Sequence, residues 1–112
     1  MDMRPYITSA IASFPKVLAA DVVLPACSQL AISPAQFCDY FAKEVTREYL
    51  AEELSWLDAN AAMNALSGFF FAEVSPIPDY AFGVFLAFDA GETQAEPEQI
   101  TKEQLASLHE KA

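Results

Sequence analysis

Hydrophobic residues recur at helical rather than strand spacing along most of this chain. The clearest stretch begins at Ser33. Phe37, Phe41, Val45 and Tyr49 follow every four residues with Cys38 and Ala42 beside them, while Asp39, Lys43, Glu44, Arg47 and Glu48 take the other side. Side chains three and four apart share one face of an α-helix, so this is an amphipathic stripe. Ser33-Pro34 supplies an N-cap and a proline at the first helical position, and Gln36 completes a capping-box pattern. The spacing predicts a helix from residue 34 to about 53.

Ser55 offers a second N-cap, and Asp58 falls in the acidic first turn after it. From Trp56 to Phe71 the chain is apolar nearly all round, with Leu57, Ala61, Ala62, Met63, Ala65, Leu66 and three successive phenylalanines. That pattern marks a central, enclosed helix. Gly68 is a point where it could end. Phe69, Phe70 and Phe71 sweep about 200° of a helix surface, so they cannot all face one core; one of them meets another layer or a partner.

Prolines divide the first third. Pro5 opens a short helix through about Phe14, anchored by Ile7 and Ile11, and Pro15 opens the next through Val23 or Leu24. Pro25 forces a break or a kink, leaving residues 26–31 for a further turn. Residues 74–79, with two prolines and a serine, read as a loop. Tyr80 to Phe88 fits two templates. As a strand it alternates well and would pair with residues 69–74; as a helix it groups Ala81, Phe85 and Phe88. Two isolated strands make a poor sheet, which favours the helix. Ala90-Gly91 ends that element. Residues 92–99 form a polar linker, and Thr101, with Gln104 three later, caps a last helix to about Glu110 that has Leu105 and Leu108 as anchors.

These elements predict an all-α fold, a compact bundle of five to six short helices. The alternative is α+β with a small hairpin at 69–88. Residues 1–91 make a helical core domain, and 92–112 a polar linker with a loosely docked C-terminal helix. At 112 residues there is room for one core. The apolar share is 54%, with nine Phe, against roughly 45–50% in an average soluble domain. Apolar surface beyond the needs of the core would face a partner or a second copy of the chain, so a homodimer is an expectation.

Charge narrows the function. Sixteen Asp and Glu against six Lys and Arg give a net charge of −10. Such a field repels nucleic-acid phosphates and anionic lipid and attracts basic proteins; it also serves as a solubility device. Direct nucleic-acid binding is not expected. No apolar run is long enough to span a bilayer. Residues 22–27, Val-Val-Leu-Pro-Ala-Cys, faintly match a lipoprotein cleavage box, but Asp2, Pro15, Lys16 and Asp21 spoil the charged and apolar regions that precede one. The cytoplasm is the expected location. Cys27 and Cys38, eleven apart, match neither a disulfide framework nor a zinc spacing, and two buried thiols suit a reducing compartment.

Reactive constellations are lacking in the sequence. A single histidine, His109, leaves no Ser-His-Asp set, the three glycines are too scattered for a phosphate loop, and carboxylate pairs such as Glu52 and Glu53 or Asp89 and Glu92 have no evident cleft. No enzyme activity, cofactor or metal is expected. Two surfaces remain as candidates. Asp39, Glu44, Glu48, Glu52 and Glu53, extended by Asp58, form an acidic side that would steer a basic protein; the plain alternative is a solvated helix face. Asn60, Asn64 and Ser67, at spacings of four and three beside Trp56, form a polar strip on the most apolar helix. It either receives a ligand or ties the helix to its neighbours, because buried amides need partners. Asp89 and Glu92 oppose the dipole at a helix end, which marks an interaction determinant or a cap for something nearby. The expectation is therefore a small acidic protein-binding module, above all an inhibitor of a basic partner in the manner of an immunity protein or antitoxin, acting by steric and electrostatic blocking. The alternative is a small-ligand-binding or regulatory helical domain.

Overall fold

Six helices account for the elements of the computed structural model, which describes residues 1–111. Ala112, the end of the expected segment 92–112, lies outside the described residues. In chain order they are α1 (Arg4–Ser13), α2 (Ala20–Leu30), α3 (Pro34–Leu50), α4 (Trp56–Glu73), α5 (Asp79–Gly91) and α6 (Pro97–Lys111). There is no strand among the described residues. The region 80–88 is helical, and the hairpin alternative at 69–88 is overturned: α4 carries helical hydrogen bonding through Phe71 to Glu73, leaving no strand for α5 to pair with.

The centre is α4. Ala59, Ala62, Met63, Ala65, Leu66, Phe69 and Phe70 are all buried, and α1, α3 and α5 pack around them. Gly68 does not end this helix. Its missing side chain lets the 14–19 segment lie across α4, since a Cβ there would sit 2.6 Å from Val17 Cβ. That segment is also a departure from expectation. Pro15 opens no helix; Leu18 instead donates its backbone N–H to the Ala65 carbonyl of α4 at 3.0 Å and buries its side chain. A tertiary hydrogen bond thus replaces the local one that a helix would have made.

Nor does Pro25 break its helix. α2 runs through it from Ala20 to Leu30. Pro25 and Asp21, whose carbonyl loses its helical donor, are both exposed, so water can take the place of the missing N–H. α3 begins as predicted: the Ser33 hydroxyl accepts from Gln36 N at 3.1 Å and Gln36 Oε1 accepts from Ser33 N at 2.9 Å. It stops at Leu50, short of the expected residue 53, because the chain turns over into a left-handed residue at Glu52, φ 62°. Glu53 N then donates to Glu48 O (2.8 Å) and Glu52 N to Tyr49 O (3.1 Å), the double bond of a Schellman terminus. α2 ends the same way at Ala31, φ 57°, with Ile32 N on Cys27 O.

α6 begins earlier than Thr101, at Pro97, so the polar linker is shorter than expected. Thr101 is not a cap but a fully buried residue inside the helix. Its hydroxyl donates to Ala87 O of α5 (2.9 Å) and accepts from Trp56 Nε1 of α4 (2.8 Å). Gly91 permits this approach, since a Cβ there would stand 2.7 Å from Pro97 O. The radius of gyration, 13.1 Å, is that of a chain folded back on itself at this length, about 13 Å.

Two measurements check this account. Left-handed Ala31 and Glu52 sit where glycine is preferred, and L-residues pay a steric penalty there. Ala31→Gly and Glu52→Gly should each raise unfolding stability by about 0.5–1 kcal/mol, net of the added freedom of the unfolded chain, read from urea melts. Thr101→Val keeps the volume but strands the Trp56 N–H; it should lower stability by about 1–3 kcal/mol and change Trp56 fluorescence.

Candidate functional site

The acidic side of α3 does not form one free surface. Asp39 is half-buried and its Oδ1 accepts from Ala81 N at 3.1 Å. Ala81 is the third residue of α5, so Asp39 caps the N-terminus of a different helix, where unpaired N–H groups and the dipole favour an anion. Burial nevertheless raises its pKa, against the lowering effect of that hydrogen bond. Glu44 and Glu53 both grip Arg47, at 2.7 Å and 3.3 Å. The guanidinium holds Glu44 below the usual carboxylate range and is itself raised.

Glu48, expected at the surface, is buried. Its backbone carbonyl takes the Glu53 and Leu54 N–H groups of the following turn, and its Oε2 finds no hydrogen-bond partner among the described residues. Burial raises its pKa, and the Glu44 carboxylate one turn before raises it further. The assignment of Glu48 to the polar side is corrected: it falls seven residues after Phe41 and three after Val45, within the apolar stripe itself, and its charge had been given more weight than its spacing. Glu52 and Asp58 remain exposed.

The polar strip of α4 is occupied by the chain itself. Asn60 and Asn64 both donate through Nδ2 to Glu92 Oε1, at 3.0 Å and 3.1 Å. Ser67 turns back to the Asn64 carbonyl at 2.8 Å, and Trp56 reaches Thr101. Two amide donors therefore hold the carboxylate that stands at the C-terminal end of α5. That is the reason Glu92 is tolerated against the helix dipole. Of the two readings of this strip, tying the helix to its neighbours is the one these bonds describe.

The free charge lies elsewhere. Residues 1–51 hold five acidic and four basic side chains, whereas residues 52–112 hold eleven acidic and two basic ones. Of the cations, Arg4 pairs with Asp2, Arg47 with Glu44 and Glu53, Lys43 lies over the Tyr80 ring and Lys102 over Tyr49. Asp58, Glu73, Asp79, Asp89, Glu96, Glu98 and Glu103 are exposed, and none of them forms an ion pair among the described residues.

On this acidic half an aromatic cluster reaches the surface. Phe71 of α4 is 51% exposed. Its ring meets Phe82 and Phe85 of α5 edge-on, at centroid distances of 5.9 Å and 5.7 Å, and those two stack on each other at 6.4 Å. The triple-Phe run announced that one ring would point away from the core, and Phe71 is that ring. Sequence reading did not join it to Phe82 and Phe85, because only antiparallel packing of α4 and α5 brings them together. Leu86, also exposed, continues the patch toward a shallow cleft lined by Gly83, Gln104 and Leu108. Among the described residues no group of three or more His, Cys, Asp or Glu is placed to hold a metal ion. Cys27 and Cys38 are free and buried, and burial pushes the Cys38 thiol up to about 12.

Glu48 supplies a pH test. A carboxyl whose folded pKa is raised binds its proton more tightly in the native state, so stability falls as pH rises from the unfolded value through the folded one and is flat above it. Glu48→Gln mimics the protonated form. It should raise the melting temperature at pH 7, and the gain should close as both proteins are brought toward pH 4. A gain that is independent of pH would remove Glu48 from that role.

Comparison of the chain with protein-family models, with curated proteins and with solved structures finds no match.

Proposed function

We propose that this chain is a small acidic protein-binding module that covers and blocks a basic partner, in the way an immunity protein or antitoxin blocks its target. The observation that carries this reading is the segregation of charge. Nearly all of the uncompensated acid lies in the half built by α4, α5 and α6, while the cations of α1 and α3 are held by the chain's own acidic and aromatic groups. A one-signed surface steers an oppositely charged protein and rejects like-charged ones. The same half shows phenylalanine at the surface, and aromatic rings are common anchors at protein interfaces. Asp58 is a member of this surface; Asp39, Glu44, Glu48 and Glu53 serve the fold instead, as cap, ion pair or buried group. The polar strip at Asn60 and Asn64 already has its partner in Glu92, so a small ligand is not favoured there.

No helix among the described residues is long and apolar enough to cross a membrane. Free buried thiols suit a cytoplasmic setting.

The test is kinetic. Affinity capture at low ionic strength should retain a basic protein that molar salt releases. With the purified pair, reversing Asp58, Glu73 and Glu103 to lysine should slow association about tenfold or more at low salt and leave dissociation nearly unchanged. Equimolar addition of the chain should suppress the partner's activity. Association that ignores both salt and charge reversal would overturn the reading.

A further inference from the structure

The outer face of α5 carries an ordered stripe. Asp79, Phe82, Leu86 and Asp89 fall at intervals of three, four and three residues, which keeps them on one side of a helix. Asp79 and Asp89 are exposed, Leu86 is 44% exposed, and Phe82 is half-buried because Phe71 leans on it from α4. The stripe therefore reads acid, aromatic, aliphatic, acid, broadened in the middle by the exposed Phe71 ring. At 1.5 Å per residue the two carboxylates stand about 15 Å apart along the helix.

The other faces of α5 are spoken for. Ala81, Val84 and Phe88 enter the core, Ala87 meets Thr101, Tyr80 meets His109 of α6, and Gly83 is pressed close to Leu108. What is left is an apolar centre bounded at both ends by carboxylates with no ion pair among the described residues.

We infer that this α5 stripe, with Phe71 beside it, is the docking surface for an amphipathic helix of the basic partner. The inference rests on the protein-binding reading above and names its site and the chemistry of its occupant. Charge complementarity selects that occupant. A helix laid along α5 would set apolar residues at i, i+3 or i+4 and i+7 against Phe71, Phe82 and Leu86. Lys or Arg ten or eleven positions apart would reach Asp79 and Asp89, the same span of about 15 Å on a second helix. A second copy of this chain is disfavoured as occupant, since it would bring the same carboxylates against each other at a net charge of −10 per copy.

The probe is an 18-residue Leu/Lys peptide of amphipathic helical pattern, with a Leu/Glu peptide of the same pattern as control, titrated into the ¹⁵N-labelled full chain. The Leu/Lys peptide should move the amide signals of residues 69–73 and 79–89, and the Leu/Glu peptide should leave them in place. Leu86→Ser and Phe71→Ser, both at exposed positions and checked for folding by circular dichroism, should each weaken binding about tenfold. Asp79→Lys with Asp89→Lys should remove its salt dependence. Shifts centred on α6 or on the Asp58 end of α4, or binding unchanged in Leu86→Ser and Phe71→Ser, would overturn this site. So would sedimentation showing a dimer that Phe71→Ser dissolves, which would make a second copy the occupant. None of these outcomes touches salt-dependent capture of a basic partner, whose loss is what refutes the broader reading.

Discussion

A helix of eighteen residues with nine of them buried cannot lie at the edge of a small domain. α4 is such a helix, and the rest of the fold is arranged to enclose it. Burying its methyl and phenyl groups supplies the main driving force, at roughly 25 cal/mol per Å² of apolar area. Each neighbour then solves a local problem in order to reach it. The 14–19 segment gives up helical geometry and bonds its backbone to Ala65, and Gly68 clears the space for Val17. α3 turns its Phe37, Phe41 and Val45 side inward and is ended abruptly by a left-handed residue so that α4 can start five residues after Ala51.

Polar groups on the buried elements follow the same logic. Three of them are paired across helices rather than within one. Asp39 of α3 caps α5, Glu92 behind α5 receives two amides from α4, and Thr101 of α6 stands between Trp56 and Ala87. Such bonds add modest stability when made and cost more when broken, because the stranded partner stays out of water. They fix which helix neighbours which. Glu48 has no such partner at Oε2: its carboxyl is buried on the inner side of α3 and pressed by Glu44, and that is why its proton is held more tightly than usual.

Charge is divided between two halves of the molecule. α1 to α3 are nearly neutral; α4 to α6 carry the acid. The aromatic cluster of Phe71, Phe82 and Phe85 surfaces on the acidic half. An apolar patch ringed by carboxylates is poor at self-association and well suited to a partner with the opposite pattern.

Helix content, the Ser33 capping box, the central placement of α4 and the outward turn of one of three phenylalanines were legible in the sequence, because each depends on side chains within about two turns of one another. The net charge was legible too, as a sum that ignores position. Tertiary structure alone decided where the charge is free. Asp39 and Glu44 both carry the charge of an outer helix side, yet Asp39 is drawn against the first turn of α5 and Glu44 is tied to Arg47. Pro15, Pro25 and Thr101 carry local signals for a helix start, a break and a cap, and in each case the surroundings decide otherwise: Ala65 bonds Leu18, the exposed Asp21 carbonyl is open to solvent, and Trp56 with Ala87 engages Thr101. The reason is the same throughout. Periodicity reports which residues share a face of one helix, whereas a buried hydrogen bond or a joined aromatic surface depends on which two helices meet.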